Sequence, residues 1–168
     1  MSLEPLSEEA VRQADVSAYR RALGAFATGV CVVTADSEAG PLGITINSFT
    51  SVSLTPRLVL WCLDEKSERW APFSAAEAFS IHVLDARSQA LSNRFARGVG
   101  LLSDGEFLRV GNAPPRLSGA VARFDCRTYQ RVQMGDHMTI VGEVEGFEAS
   151  DGPTLTYFRG RYGTTGDA

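Results

Sequence analysis

Hydrophobic and polar residues alternate with a period of two in short runs along this chain, and turn residues punctuate the runs. Val30-Cys31-Val32-Val33-Thr34 is β-branched and is closed by Asp36-Ser37-Glu38-Ala39-Gly40-Pro41, a composition that predicts a strand followed by a hairpin turn. Leu58 to Leu63, after Pro56, reads as a buried strand, and Phe79-Ser80-Ile81-His82-Val83-Leu84 alternates as another. The C-terminal third holds four more strand candidates: 116–127, 129–132, 137–148 and 154–158. Helical spacing is rarer. Asp15 is a predicted N-cap for a helix that places Val16, Tyr19, Leu23 and Phe26 on one face, there to cover a core, and Gly29 ends it. Residues 1–14 read as a mobile arm and 15–168 as a single domain. Ser67 opens a short helical or irregular segment toward Pro72. From Ser88, the spacing of Ala90, Leu91, Phe95 and Ala96 predicts an amphipathic helix, and 97–115 is rich in Gly and Pro with little period.

Strands outnumber helices and are joined mainly by turns, which favours an antiparallel β-barrel with appended helices over a doubly wound parallel sheet. One run departs from ordinary strand composition. Six of the ten residues from Thr45 to Leu54 carry a small hydroxyl or amide side chain. Ile44, Ile46, Val52 and Leu54 share one phase, and Thr45, Asn47, Ser51 and Ser53 share the other. Such a neutral polar stripe suits phosphate or carbonyl oxygens of a ligand. It equally suits a solvated, Thr-rich strand face, and spacing alone does not choose.

Composition narrows the classes. A chain of 168 residues buries enough surface for one domain without a staple. Cys31, Cys62 and Cys126 are far apart and odd in number, so neither a disulfide framework nor a Cys-x-x-Cys pair is indicated, and a reducing, cytoplasmic setting is expected. The acidic N-terminus lacks a secretory pattern, and no apolar run approaches the ~20 residues that span a bilayer. A net charge of −4 with interspersed signs argues against a nucleic-acid or anionic-membrane surface.

Several catalytic vocabularies are missing. Gly98-Val99-Gly100-Leu101-Leu102-Ser103 lacks the third glycine of a dinucleotide fingerprint and does not join a strand to a helix, and no Walker loop or Gly-x-Ser-x-Gly elbow is present. With His82 and His137 as the only histidines and no cysteine cluster, no structural zinc site is expected. His82 sits in an apolar strand and reads as a core residue. His137 follows the turn Gly135-Asp136 and shares a phase with Thr139 and Val141. A histidine there can hydrogen-bond a cofactor or move a proton near neutrality, or simply be satisfied by backbone. Lys66-Ser67 and the glycine-flanked Arg159-Gly160-Arg161-Tyr162-Gly163 offer charge and hydroxyl groups for phosphate or a planar ring, or a cap and a solvated tail respectively.

In combination, Tyr19 to Thr34 with its Thr28-Gly29-Val30, then Gly43 to Pro56 with its Asn47-Ser48-Phe49-Thr50-Ser51-Val52-Ser53, resemble the flavin reductase family of the FMN-binding split β-barrel fold. Lys66-Ser67, Asn93-Arg94-Phe95-Ala96, Gly135-Asp136-His137 and Tyr157 to Tyr162 continue that resemblance in order. It implies a homodimeric, antiparallel, Greek-key-like split barrel that binds FMN or FAD. Hydride would pass from NADH or NADPH to the flavin, and reduced flavin would diffuse to a separate monooxygenase. By motif position, Asn47, Ser48, Ser51, Val52 and Ser53 would surround the flavin, with Thr28, Lys66 and Ser67 nearby. Phe95 and Ala96 would border the pocket, Arg161 and Tyr162 would close it, and His137 would lie near nicotinamide and flavin in a positioning or polarising role. The segment 98–115 departs from the family pattern. A flavoprotein of the same fold that retains its flavin, or that reduces another acceptor, would share these motifs.

Overall fold

The computed structural model describes residues 7–166, and its first element already differs from the sequence expectation. Helix α1 spans Glu8–Leu23, with Glu8 and Glu9 in its first turn and Arg20 and Arg21 in its last. That charge order complements the helix dipole, so the helix begins within the expected arm and Asp15 lies inside it rather than at its cap. Residues 1–6 of that arm lie outside the described residues. The predicted face of α1 also fails to cover the core: Val16, Tyr19 and Leu23 are 45%, 66% and 56% exposed. Gly29 does not end this helix but belongs to the short strand β1 (Thr28–Gly29).

The main sheet contains β2 (Cys31–Ala35), β3 (Leu42–Ile46), β4 (Thr50–Leu54), β5 (Arg57–Asp64), β6 (Ala78–Leu84), β7 (Ala120–Met134) and β8 (His137–Ala149). Their order is β3-β2-β6-β7-β8-β5-β4, antiparallel throughout. Consecutive strands β5 and β6 are separated by β8 and β7, the long return of a Greek key. Between them runs α2 (Trp70–Ala75), and α3 (Gln89–Phe95) follows β6. A smaller sheet, β1-β9-β10, adds β9 (Leu155–Phe158) and β10 (Arg161–Thr164).

The stripe of the sequence is two strands, not one. β3 and β4 are the opposite edges of the main sheet, yet only Asn47, Ser48 and Phe49 separate them. Four Cα steps reach at most about 14 Å, whereas seven flat strands would hold their edges about 29 Å apart. The sheet therefore curls until its edges nearly meet, forming a barrel that is split between β3 and β4. The link is pinned from both sides: the Cys62 N–H donates to Ser48 Oγ at 3.0 Å, and the Phe49 ring stacks on Phe124 at 5.5 Å.

Inside the barrel, Trp61 meets Phe73 and Phe79 edge-on at centroid separations of 5.5 and 5.9 Å. Gly142 on β8 leaves room for Phe79, since a Cβ there would come within 2.6 Å of its ring. A second core, containing Val32, Leu84, Phe95 and Leu155, joins the sheet to α3 and the small sheet. Here His82 is fully buried, its Nδ1–H donating to the Val32 carbonyl and its Nε2 accepting from the Leu117 N–H, each at 3.1 Å.

Two strand expectations need correction. From Ala120 onward the runs at 116–127 and 129–132 form one strand, β7, which begins four residues later than expected and whose register against β8 shifts between Thr128 and Gln130; the extra residue reverses the phase of the alternation and mimics a break. The segment 159–163, for which the sequence leaves open a ligand-binding group or a solvated tail, is not a tail: its β10 residues pair with β9 over Arg161↔Phe158 to Thr164↔Leu155.

Candidate functional site

Two contiguous clefts open at the split, and they share Asn47 and Ser48. The smaller, about 350 Å³, is lined by Asn47, Ser48, Lys66, Ser67, Ala96 and His137, with Asp64 and Arg69 beside them. The larger, about 830 Å³, takes in Thr28, Gly29 and Thr50 and is walled by Leu23 and Phe26 from the end of the N-terminal segment.

Register explains how distant residues converge. Asp64 at the end of β5 pairs with His137 at the start of β8, and Cys62 pairs with Thr139. The turn after β5 then folds on Asp64: its carboxylate accepts the Lys66 N–H at 2.8 Å, and its carbonyl accepts the Ser67 N–H at 3.0 Å. This directs Lys66 and Ser67 to the same mouth as His137. The opposite turn is tied in as well, because the Glu65 N–H donates to the Asp136 carbonyl at 3.0 Å. His137 Nδ1 lies 2.8 Å from Asp136 Oδ1, and that imidazole holds the Asp136 carboxyl below its ordinary value.

The polar groups at the clefts divide into committed and uncommitted ones. The Ser48 hydroxyl is committed to Cys62, and the Ser67 hydroxyl accepts the Arg69 N–H at 3.2 Å. Among the described residues the Asn47 amide makes no hydrogen bond and the Lys66 ammonium no hydrogen bond or ion pair, although the Lys66 charge acts on the nearby Asp136 carboxylate. Thr28 Oγ1 is buried and likewise unpartnered, which is costly unless something else supplies the bond. Cys31, at the floor of the larger cleft, is no nucleophile, because burial pushes its thiol up to about 12. Among the described residues, no group of three or more His, Cys, Asp or Glu is arranged to hold a metal, and no helix is long and apolar enough to cross a membrane.

Of the residues singled out from the sequence, the structure gathers Thr28, Asn47, Ser48, Lys66, Ser67, Ala96 and His137 around these clefts. Ser51, Val52 and Ser53 lie on β4 outside both, with Val52 49% exposed. The Phe95 ring is fully buried in the second core, against Gly43, so it lines neither cleft, unlike the next residue, Ala96. Arg161 is exposed on β10, while the Tyr162 hydroxyl lies 2.8 Å from Ser92 Oγ and its ring packs on Tyr157. Sequence reasoning passed over Asp64, Arg69 and Asp136. Only Asp136 carried a signal, as part of Gly135-Asp136-His137.

The family described as flavin reductase like domain matches residues 23–166. This chain belongs to that family. It is 46% identical over 145 residues to the FMN reductase (NADH) SmoA of Agrobacterium fabrum, an alignment covering 86% of this chain and 83% of that protein. It is 42% identical to the reductase component of the flavin-dependent trigonelline monooxygenase of Acinetobacter baylyi, but there it spans 47% of the relative's length. Among solved structures, the Streptomyces globisporus NADH:FAD oxidoreductase SgcE6, in complex with NAD and FAD fragments, superposes with a TM-score of 0.82 at 31% identity, covering 95% of each chain. The split-barrel architecture is thus the family's own.

Proposed function

We propose that this protein is an NAD(P)H:flavin oxidoreductase, using NADH with FMN or FAD and supplying reduced flavin to a separate monooxygenase. The observation that carries the reading is the pair of adjoining clefts at the split, where the unpartnered Thr28 Oγ1 lines one, Lys66 and Ser67 line the other, and the Asn47 amide lies in both. These residues fit a flavin. Neutral hydroxyl and amide groups match the carbonyl and nitrogen edge of its ring, and one cation with a neighbouring hydroxyl matches its phosphate. The cleft volumes lie within the ~300–1,000 Å³ of small-molecule sites.

A bound flavin supplies the redox chemistry by accepting hydride from the nicotinamide. The chain's part is to hold and orient. Asn47 and Thr28 would fix the ring, Lys66 and Ser67 its phosphate, and Ser48 keeps the Asn47–Phe49 link against β5. His137 stands at the mouth with Nδ1 engaged by Asp136, which leaves Nε2 to accept from the amide N–H of the incoming nicotinamide. Names of relatives such as SmoA and SgcE6 support NADH as donor.

A second copy of the chain completes the reading. Leu23 and Phe26, 56% and 77% exposed, form a wall of the larger cleft, and Leu54 on β4 is 89% exposed. Apolar surface of this kind beside a ligand cleft supports a homodimer.

Purified protein mixed anaerobically with NADH and FMN, or FAD, should bleach the flavin absorbance catalytically. Absence of turnover with every pairing of flavin and nicotinamide would overturn the proposal. Tightly held flavin without nicotinamide oxidation would establish a carrier instead.

A further inference from the structure

Arg69 is 6% exposed, yet it borders the smaller cleft. Its Nη1 donates to the Phe95 carbonyl at 2.8 Å and to the Gly43 carbonyl at 3.3 Å, while its Nε finds no partner. Nη1 alone therefore ties the side chain to the fold. The Phe95 carbonyl belongs to the last turn of α3, where acceptors lack intrahelical donors. The next residue, Ala96, lines the cleft. Gly43 is held from a third direction, its N–H donating to the Gly100 carbonyl at 2.9 Å. Gly100 has φ +69°, and a Cβ there would collide with the Gly43 carbonyl and sit 3.2 Å from Arg69 Nη1. At the other end of the side chain, the Arg69 backbone N–H is fixed by Ser67 Oγ. One buried arginine thus links Ser67, on one wall of the cleft, through its backbone N–H, to the residue before Ala96, on the other, through its guanidinium.

We infer that Arg69 is a positioning residue for the flavin cleft: by clamping the Phe95 and Gly43 carbonyls it fixes the distance between the Ser67 and Ala96 walls. This rests on the proposed flavin site. Removing the clamp unties the end of α3 at Phe95 from Gly43 on β3, though Gly43 keeps its bond to Gly100, and the cleft loses its preset width before any group that would touch ligand is altered. The consequence falls on cofactor binding rather than on hydride transfer, because His137 and Asp136 sit on the β8 side and share no hydrogen bond with the clamp.

The test compares wild type with Arg69→Met, Arg69→Lys and Gly100→Ala, which strains the same joint from the loop side. Flavin dissociation constants come from fluorescence quenching, kcat and KM from NADH oxidation, and folding from thermal unfolding. Arg69→Met should raise the flavin Kd and KM about tenfold or more, with kcat at saturating flavin changed less than about threefold. Arg69→Lys, whose ammonium can still reach one carbonyl, should recover part of that loss, and Gly100→Ala should reproduce it. Should Arg69→Met fail to fold, the Lys and Gly100 variants carry the comparison. A flavin Kd within about twofold of wild type in variants with lowered melting temperature overturns the inference, since the residue would then be structural only. A wild-type protein that neither binds nor reduces flavin would instead overturn the function on which the inference rests.

Discussion

His137 Nδ1 lies 2.8 Å from the carboxylate of its own neighbour, Asp136, at the turn where β7 gives way to β8. Both side chains are open to solvent, 43% and 75% exposed, so the pair contributes orientation more than stability. A carboxylate on Nδ1 selects the tautomer with Nε2 as acceptor and steadies the ring should it protonate. If the pair presents Nε2 to nicotinamide, His137→Gln should lower kcat/KM for NADH by about tenfold while leaving flavin affinity within about twofold. Asp136→Asn, which keeps shape but loses charge, should cost less. Because His137 holds the Asp136 carboxyl below its ordinary value, the pairing should survive down to the normal carboxylate range and fail only below it. Stopped-flow NADH oxidation across pH would check this, and wild-type kinetics in His137→Gln would remove the histidine from the site.

The unpartnered hydroxyl of Thr28 makes an unusual prediction of two opposite signs. Without ligand, a buried oxygen lacking a bond destabilises the fold, so Thr28→Val should raise apoprotein stability or leave it unchanged. With flavin, the same change removes a bonding group and should weaken binding by about 1 kcal/mol. Asn47→Ala should weaken flavin binding by a similar amount. Ser51→Ala should have a smaller effect within one protomer, because Ser51 lies on β4 outside the clefts. Chemical denaturation beside flavin titration gives both numbers. A destabilised Thr28→Val apoprotein with unaltered flavin affinity would contradict the assignment.

His82 predicts acid lability unconnected with the site. Burial lowers its pKa from the ordinary 6.5 to about 4, so the folded state keeps the ring neutral. The unfolded state takes up the proton first as pH falls below about 6.5, and stability is lost progressively until the folded ring also protonates near 4. A shift of that size corresponds to about 3 kcal/mol. Urea midpoints at pH 7 and pH 4.5 should differ markedly in wild type. The difference should shrink in His82→Gln, whose amide keeps polar groups for Val32 and Leu117 without titrating. An equal pH dependence in both proteins would assign the lability to other groups.

The strands were legible because alternation is local, and closure was not because it is global. The run Thr45 to Leu54 keeps the same phase on either side of Ser48-Phe49-Thr50, yet the chain leaves one edge of the sheet at Ile46 and joins the other at Thr50; a three-residue link restores the phase and hides the crossing. The opposite error occurred at Thr128–Gln130, where a bulge broke the phase of a continuous strand. In the site, Asn47, Lys66, Ser67 and His137 stood out through residue type and motif. Arg69 did not, because a charge between Glu68 and Trp70 in a turn reads as solvated. Its burial comes from Gly43 and Phe95, each 26 residues away in sequence, and no local pattern encodes that meeting.

The exposed face of α1 is the point at which helical periodicity gave the right grouping and the wrong surroundings. Val16, Tyr19 and Leu23 do share a face, but within one chain nothing buries it, and Phe26 beyond the helix is 77% exposed. Since Leu23 and Phe26 also wall the larger cleft, a partner protomer that covered them would close the same space a flavin needs. Two properties should therefore fall together. Phe26→Glu should shift the sedimentation mass from dimer toward monomer at micromolar concentration and weaken flavin binding by about tenfold or more, because a charge at a buried apolar contact is poorly tolerated. Leu108→Glu, on the 98–115 loop and 70% exposed, places the same charge away from both clefts and should change neither. A wild-type protein that sediments as a monomer while binding flavin would show that one copy suffices, and a Phe26→Glu dimer with normal affinity would place the interface elsewhere.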